Sequence, residues 1–311
     1  MLQEREKRRI VIASVLKPVD DTRMTEKIGQ SLVDCGLYAV SVIGYCPSGT
    51  TPENIECISL GRFTRISVAR YLARWRAFSI AFRRKPDVFI FGTYELIFPA
   101  ILLKVILGTR IIYDVRENYY RNIHHSEALP FLLRFPLALT VRLVEKVTAP
   151  AIDHFILAER GYEDEFRFHR GGWTVLENKA MPSQATARRW KKGEPLHLLF
   201  SGTLSESTGV FRAIDLVAKI HQHVPDVRLT IAGYAASPAV RRRIQEAASS
   251  HSFVALIGID QLVPHSKILS LISGSHAGII AYLHLPQTQN TVPTKLFEYL
   301  QASLPILTVK H

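Results

Sequence analysis

The chain has 311 residues, of which 47% are hydrophobic, so it is long enough for two α/β domains and too apolar to be disordered. Lysine and arginine exceed aspartate and glutamate by 39 − 27 = 12, which predicts an anionic partner such as a nucleotide or an anionic membrane surface. Nucleic acid is not expected, because no helix-turn-helix, RNP or zinc-finger motif accompanies the basic residues.

Cysteine usage and the first residues indicate the compartment. Cys35, Cys46 and Cys57 contain no CxxC pair, which is typical of reduced thiols in a cytoplasmic protein. The opening MLQEREKRRI is too charged for a signal peptide, and no stretch gives about 18 uninterrupted apolar residues. We therefore expect a cytoplasmic protein that is soluble or peripheral at the inner face of the cell membrane.

In the first half, short apolar runs alternate with amphipathic stretches. The runs predict strands over Arg9–Leu16, Tyr38–Gly44, Asp87–Gly92, Arg110–Asp114, Asp153–Leu157 and Thr174–Leu176. Helical periodicity predicts helices over Met24–Cys35, Ile66–Arg84, Leu96–Leu107 and Leu129–Ala149. Strands joined by right-handed helical crossovers predict a parallel sheet that is covered on both faces.

The alternation lapses in the polar, basic stretch 181–195, which we interpret as a linker between domains 1–180 and 196–311. It then resumes with strands predicted over Leu196–Ser201, Val227–Ala232, Phe253–Gly258, Ala277–Ala281 and Pro305–Val309. The helices between them are predicted over Gly209–His223, Pro238–Ser249, Pro264–Ser273 and Pro293–Ala302. The predicted fold class is two tandem Rossmann-like, doubly wound α/β domains. A helix normally follows such a last strand, so we expect the second domain to be truncated.

Ligands of open parallel sheets bind beyond the carboxyl ends of the strands, and two turns of the second domain have suitable chemistry there. In the loop after its first strand, Gly202 and Gly209 permit close backbone approach, and the hydroxyls of Thr203 and Thr208 can donate hydrogen bonds. The following helix presents free N–H groups to an anion. A helix start capped by Ser207 or Thr208 explains the pattern equally well.

The second turn begins the helix predicted after Pro293, which Asn290 or Thr291 could cap. Lys295 in its first turn opposes the helix dipole by roughly a few tenths of a kcal/mol, and a bound anion would remove that conflict. Glu298 lies one turn beyond Thr294. The pattern fits a diphosphate held by Lys295 and backbone N–H groups, with sugar hydroxyls on the carboxylate. A surface lysine and glutamate on an ordinary amphipathic helix is the alternative.

The run PTKLFEYLQASLPIL, which starts at Pro293, resembles the donor-site signature of retaining glycosyltransferases of the family 4 type, which have the GT-B fold. In that family two glutamates stand eight positions apart. Glu298 matches the second, which reaches the ribose of the donor. Asn290 occupies the position of the first, near the transferred sugar, and removes a charge there.

The resemblance extends over essentially the whole chain. Lys17–Met24 resembles the first strand and loop of the acceptor domain, and Ile111–Asn118 resembles a strand-end motif that often reads Tyr-Asp-x-His-Glu, with Arg116 in place of the histidine. The resemblance implies catalytic roles for Arg116, Asn290 and Glu298. It implies acceptor-side roles for Asp21, Arg23, Asp114 and Glu117.

Relatives commonly carry an arginine and a lysine in the phosphate loop, where this chain has Thr203 and Thr208. Lys295 would then be the main positive charge on the donor phosphates, with Arg23 or Arg116 as a second cation. The resemblance implies transfer from a nucleoside-diphosphate sugar with retention, without a metal cofactor and without a protein nucleophile. The histidine pairs near 124 and 222 lack metal-ligand spacing.

Two apolar stretches bear on the acceptor. Tyr94–Gly108 is expected to pack against the sheet, whereas Leu129–Leu137 mixes aromatic residues, leucine and arginine as interfacial segments do. The second stretch favours contact with a membrane and an acceptor that is lipid-linked or part of a cell-surface polysaccharide.

Two further hypotheses remain open. The chain could be a catalytically impaired binding or partner subunit of a transferase, or a nucleotide-sugar epimerase or hydrolase of the same fold. A dehydrogenase that uses NAD is not expected, because the turn Lys17–Arg23 contains no glycine fingerprint.

Overall fold

The computed structural model of the protein describes residues 7–47, 51–63, 67–125, 129–180, 182–235, 237–286, 288 and 292–309. The chain divides into two compact units, Met1–Asn178 and Lys179–His311. The stretch interpreted as a linker contacts the second unit, where the Ala187 N–H donates to Ala302 O over 2.8 Å. The sequence-based domain limits stay predictions.

The first unit contains a parallel sheet. Its described strands are β1 Arg8–Pro18, β2 Tyr38–Tyr45, β3 Glu56–Ser59, β4 Val88–Phe91, β5 Arg110–Val115, β6 His154–Leu157 and β7 Trp173–Val175. They lie in the order β3-β2-β1-β4-β5-β6-β7. Successive strands therefore move outward to one side of β1 and then to the other, which makes a topological switch point between β1 and β4.

The helices of the first unit cover both faces of this sheet. They are α1 Gln30–Asp34, α2 Val68–Arg84, α3 Ile97–Leu107, α4 Tyr119–His124, α5 Phe131–Thr148 and α6 Glu163–Phe166. A π-helical segment, Thr22–Gly29, leads into α1 and is capped by Asp21, whose Oδ1 accepts from Met24 N over 3.0 Å.

The core of the first unit shows which helices share a face. Ala73 and Ala77 of α2 and Leu103 of α3 are buried in one cluster with strand residues such as Phe91 and Tyr113, whose rings stack 5.0 Å apart. The opposite face of the sheet packs against the π-helical segment and α1. Small alanines let α2 lie close to the strands, and the larger of the two clusters forms on the side that α2 and α3 cover.

The second unit contains a smaller parallel sheet in the order β10-β9-β8-β11-β12. Its strands are β8 His197–Thr203, β9 Arg228–Tyr234, β10 Val254–Ile259, β11 Ala277–Ile280 and β12 Ile306–Thr308. Its helices are α7 Val210–His221, α8 Pro238–Ser249, α9 His265–Ser273 and α10 Thr294–Gln301. The switch point of this sheet lies between β8 and β11.

The predicted fold class is confirmed, since each unit is a parallel sheet flanked by helices. The edge strand β3 and the short helices α4 and α6 are not among the predicted elements. All three cysteines are free thiols. Within the described ranges, no helix is both long and apolar enough to cross a bilayer.

Candidate functional site

The carboxyl edge of the second sheet brings two loops together at its switch point. One loop follows β8 and leads to α7, and the other follows β11 and leads to α10. The N–H of Leu283, in the second loop, donates to the carbonyl of Ser207, in the first, over 2.9 Å. Open α/β sheets bind ligands at this kind of crevice.

Glycines leave the backbone at this edge without side chains. Gly209 has φ of +80°, and a Cβ there would lie 1.7 Å from Ala281 O at the end of β11. Gly202 has φ of +104°, and a Cβ on its neighbour Gly233 would lie 1.8 Å from Gly202 O. Any side chain at Gly209 or Gly233 would therefore force the strand ends apart.

The two threonines of the first loop behave differently. Thr208 is buried, and its Oγ1 donates to Thr203 O over 2.9 Å and accepts from Ser205 N over 3.0 Å. Its hydroxyl therefore closes the loop on itself. Gly202 and Thr203 are exposed at the end of β8.

Neither of the N-cap residues at this edge supplies a side-chain cap. The N-cap of α7 is Gly209 and that of α10 is Pro293, so the predicted first-turn position of Pro293 is wrong by one residue, and Ser207 and Thr208 do not cap α7. Asn290 and Thr291 lie outside the described residues. Uncapped first-turn N–H groups carry partial positive charge and bind anions.

Lys295 lies in the first turn of α10 and is buried. Its Nζ donates to Ser201 O over 2.8 Å and sits 4.1 Å from the centre of the Phe200 ring. Burial lowers the pKa of the amine to about 7, and the nearby Glu298 carboxylate only partly opposes that shift. Since an ammonium has three N–H donors and one is on Ser201, it can still bind an oxygen ligand.

Tyr299 fixes the rotation of α10 on the sheet. Its hydroxyl and Ser201 Oγ are 2.8 Å apart, and its ring lies against Gly278 of β11, where a Cβ would come within 2.4 Å of a ring carbon. Lys295, one turn earlier on the same helix, is thereby held over the end of β8.

Glu298 lies half-buried near the same edge. Its Oε1 is 3.0 Å from Nε2 of His265, the first residue of α9. Thr294 is the first residue of α10 and is also half-buried. His265 is not among the predicted site residues, although a Pro-His pair at a helix start after β10 belongs to the same strand edge.

A second cluster lies at the switch point of the first sheet. Arg23 and Asp114 are both buried, and Arg23 donates to both carboxylate oxygens, with Nη2 2.7 Å from Oδ1 and Nε 3.0 Å from Oδ2. Its Nη1 donates to Leu176 O over 2.8 Å. This guanidinium is therefore neutralised within the first unit.

Arg116 is the less saturated cation of this cluster. Its Nη2 bonds Asp21, and its Cδ packs against Gly92 at the end of β4. Its buried Nη1 has no hydrogen-bond partner among the described residues. Burial alone would raise the pKa of Asp21, but Arg116 and Lys17 hold that pKa below its usual range. The carboxylates in turn raise the pKa of Arg116 despite its burial.

Glu117 completes the cluster. Its Oε1 is 3.1 Å from Lys17 Nζ, and its Oε2 accepts from Asn122 Nδ2 over 3.0 Å. The structure thus gathers the predicted acceptor-side residues at one switch point and the predicted donor residues at the other, each within its own unit. In the part of the chain that is described, no group of three or more His, Cys, Asp or Glu is arranged to hold a metal ion.

Comparisons with solved structures identify the architecture. Sucrose-phosphate synthase from Thermosynechococcus elongatus superposes with a TM-score of 0.69 at 13% identity, over 97% of this chain and 81% of that chain. WaaG, a glycosyltransferase involved in lipopolysaccharide biosynthesis, gives 0.68 at 14% identity, over 96% and 80%. The fold is GT-B.

A third structure of this GT-B group carries a ligand. Anabaena HepE in complex with UDP-glucose superposes with a TM-score of 0.61 at 10% identity, over 96% of this chain and 80% of that chain. No protein-family model matches the chain, and no curated protein is detectably similar in sequence. At these identities the similarity shows the GT-B fold alone.

Proposed function

We propose that this GT-B chain is a glycosyltransferase that moves a sugar from a nucleoside-diphosphate sugar to an acceptor. The observation that carries the proposal is the buried Lys295 amine in the first turn of α10, which is hydrogen-bonded to Ser201 O on β8, at the switch point of the second sheet. HepE, a structural neighbour, binds UDP-glucose, which supports a donor of this class.

The donor diphosphate would lie against the first turns of α7 and α10, with Lys295 Nζ on a phosphate oxygen. Gly202 and Gly209 would let phosphate oxygens approach the backbone, Thr203 would add a hydroxyl, and Thr208 would keep the loop in shape. As the bond between the sugar and the phosphate oxygen breaks, the negative charge that develops on the leaving nucleoside diphosphate would be stabilised by groups that are already in place.

Glu298 would accept the ribose hydroxyls through the carboxylate oxygen that His265 does not hold. Thr294 would border the same site. Asn290, which lies outside the described residues, would face the transferred sugar, as its place relative to Glu298 implies.

The first unit would supply the acceptor side. Arg116 has a buried donor that lacks a protein partner among the described residues, so it would bind an oxygen of the substrate. Asp21 orients Arg116, the Arg23–Asp114 pair braces the same edge, and Glu117 would face the acceptor. We further propose the retaining, family 4 type of chemistry without a metal cofactor.

The acceptor that we propose is a lipid-linked or cell-surface saccharide, reached from the cytoplasm at the inner face of the cell membrane. WaaG acts in lipopolysaccharide biosynthesis, which supports an acceptor of this class. The apolar segment Leu129–Leu137, exposed over most of its length, supports the same placement.

The test is turnover of UDP-, GDP- and ADP-sugars, with and without a mixture of lipid-linked saccharide acceptors. Lys295→Ala should weaken binding of the accepted nucleoside diphosphate by about tenfold or more, since it removes a charge-assisted bond to a phosphate. Lys219→Ala, in the exposed last turn of α7, is the matched control and should change affinity less than twofold.

Three outcomes would contradict the proposal. Binding without any turnover would indicate a partner subunit, and a sugar isomer formed without acceptor would indicate an epimerase. Unchanged affinity in Lys295→Ala would show that the donor binds elsewhere. Retention is checked separately by NMR of the anomeric carbon in the first product, and metal independence by activity in EDTA.

A further inference from the structure

Three helices of the first unit are apolar on the side that faces solvent. The most exposed of these side chains are Val68 (75%), Val105 (76%), Phe131 (77%), Leu132 (83%) and Val147 (69%). The other large apolar side chains exposed on the same helices are Tyr71, Leu72, Trp75, Phe82, Phe98, Leu102, Ile106, Leu133, Phe135, Leu137, Leu139 and Leu143. An ordinary surface helix carries polar residues there.

These helices lie side by side. Residues of α2, α3 and the end of α5 pack into one core cluster on the same face of the first sheet. On α3, Lys104 Nζ donates to Ala151 O, just beyond α5, over 2.8 Å. The outward sides of α2, α3 and α5 therefore lie on the same face of the sheet, and we call them together the α2–α3–α5 face.

The periodicity of α2 and α3 shows that this exposure is built into the sequence. On α2, Ala73, Ala77 and Ala81 face the core, while Leu72 and Trp75 lie on the opposite side. Small residues make the inner contact and the large ones point away from it. Folding of this unit alone leaves many large apolar side chains of these helices in water.

The charge on the same helices is of one sign. Their sequences contain nine basic residues and one acidic residue, Glu145, which is buried. The nine are Arg70, Arg74, Arg76, Arg83, Arg84, Lys104, Arg134, Arg142 and Lys146. Four of the nine, Arg70, Arg84, Lys104 and Arg142, pair with carboxylates, and the other five form no ion pair among the described residues. An apolar surface with such a surplus of cations is complementary to an anionic lipid surface.

Arginine and aromatic rings are also paired on this face. The Arg74 guanidinium carbon lies 3.6 Å from the centre of the Tyr71 ring, and that of Arg134 lies 5.9 Å from the Phe131 ring. Such pairs place an apolar ring beside a cation, which suits the boundary of a bilayer, where acyl chains meet charged headgroups.

We propose that the α2–α3–α5 face docks on an anionic lipid bilayer, with its apolar side chains inserted at the headgroup boundary and its arginines on lipid phosphates. A second copy of the chain fits this face less well. In a symmetric dimer each basic cluster would meet its own copy, and like charges at an interface oppose association.

Docking on lipid rests on the proposed function only for its biological role, which would be to bring the first unit to an acceptor that is anchored in lipid. Lipid binding itself requires no transferase activity. The two proposals can therefore fail separately.

The experiment is co-sedimentation of the full chain with vesicles of phosphatidylcholine alone or mixed with phosphatidylglycerol, at low and high salt. Anionic vesicles should bind it about tenfold or more tightly than neutral ones at low salt, and high salt should weaken that preference. Phe131→Ser with Leu132→Ser should lower binding by about tenfold or more. The control pair, Leu37→Ser with Leu262→Ser, removes two exposed apolar side chains elsewhere and should bind as the unaltered chain does.

Charge is tested on its own. Arg74→Glu with Arg83→Glu should weaken binding to anionic vesicles by about tenfold or more. Arg189→Glu with Lys192→Glu, two exposed positions in the second unit, makes the same change in net charge and should weaken it less than threefold. Circular dichroism confirms that each variant is folded before it is scored.

Equal binding to neutral and anionic vesicles, or equal losses in test and control pairs, would overturn the proposal. So would a dimer that Phe131→Ser with Leu132→Ser converts to a monomer while vesicle binding is unchanged, because the face would then be a protein interface. Lys295→Ala should keep full vesicle binding while losing donor affinity, which separates this proposal from that of transferase activity.

Discussion

Replacing Lys295 by methionine should stabilise the second unit at neutral pH. A pKa lowered from 10.5 to about 7 means that the folded protein holds the charged amine poorly. Across that pH range the unfolded chain binds more protons than the folded one, so the stability of the wild type rises with pH. At pH 7 the buried amine costs about 4 kcal/mol relative to a group that is never charged.

Methionine avoids this cost but leaves Ser201 O without the donor that Lys295 supplies, a loss of about 2 kcal/mol. We therefore expect Lys295→Met to be more stable by about 2 kcal/mol at pH 7. At pH 9 the amine is neutral in the folded protein and its cost falls to about 2 kcal/mol. The advantage of the variant should then disappear.

Differential scanning calorimetry at pH 7 and pH 9 measures this. The transition of the second unit is the one that Leu199→Ala lowers, since Leu199 is buried in that unit. Lys295→Met should raise its midpoint by several degrees at pH 7 and leave it nearly unchanged at pH 9. A variant that is less stable than the wild type at pH 7, or whose advantage is the same at both pH values, would refute the reasoning.

Three further predictions concern single positions. Gly209→Ala should lower the free energy of unfolding by more than about 3 kcal/mol, measured in urea, because its Cβ would strike a strand-end carbonyl, whereas Gly274→Ala, with no heavy atom closer than 3.6 Å, should change it by under about 1 kcal/mol. His265→Ala should raise the donor KM about threefold or more at unchanged kcat, because Glu298 loses the partner that orients it; a fall in kcat alone would contradict this. Burial raises the pKa of Glu145 to about 7, so its stabilising contribution is complete below pH 4.5 and is lost as pH rises through 7. The free energy of unfolding of Glu145→Gln, relative to that of the wild type, should therefore rise by about 1 kcal/mol between pH 6 and pH 8. Melting midpoints of both proteins at the two pH values measure this, and a difference that does not change with pH would contradict the raised pKa.

The sequence was sufficient for most of the fold, because long apolar runs bounded by turns leave little choice. The missed strand β3 is four residues long and only half-buried at the sheet edge, so burial imposes no apolar pattern on it. Helix α4 is six residues long and follows Asn118, whose side chain caps it by accepting from Arg121 N. Helix caps and edge strands depend on contacts that leave no periodic hydrophobic pattern in the sequence.

The candidate site was predictable in composition but not in geometry. Strand-end reasoning predicted that Lys295 and Glu298 lie near the phosphate loop. It could not predict that Lys295 is buried on Ser201 with a pKa near 7, because burial depends on how α10 packs. His265 could not be predicted for the same reason, since its contact with Glu298 joins two helices whose residues are 33 positions apart in the sequence.

The glycine at position 278 sets the tilt of the helix that carries the donor residues. Because the Tyr299 ring fills the space that a Cβ at Gly278 would need, a side chain cannot be added at 278 alone without displacing that ring and moving Lys295 away from the end of β8. The two positions should therefore be inherited as a pair. Lineages that acquire a side chain at 278 are expected to replace the tyrosine with a smaller residue, so an alignment of relatives should show the two sites varying together.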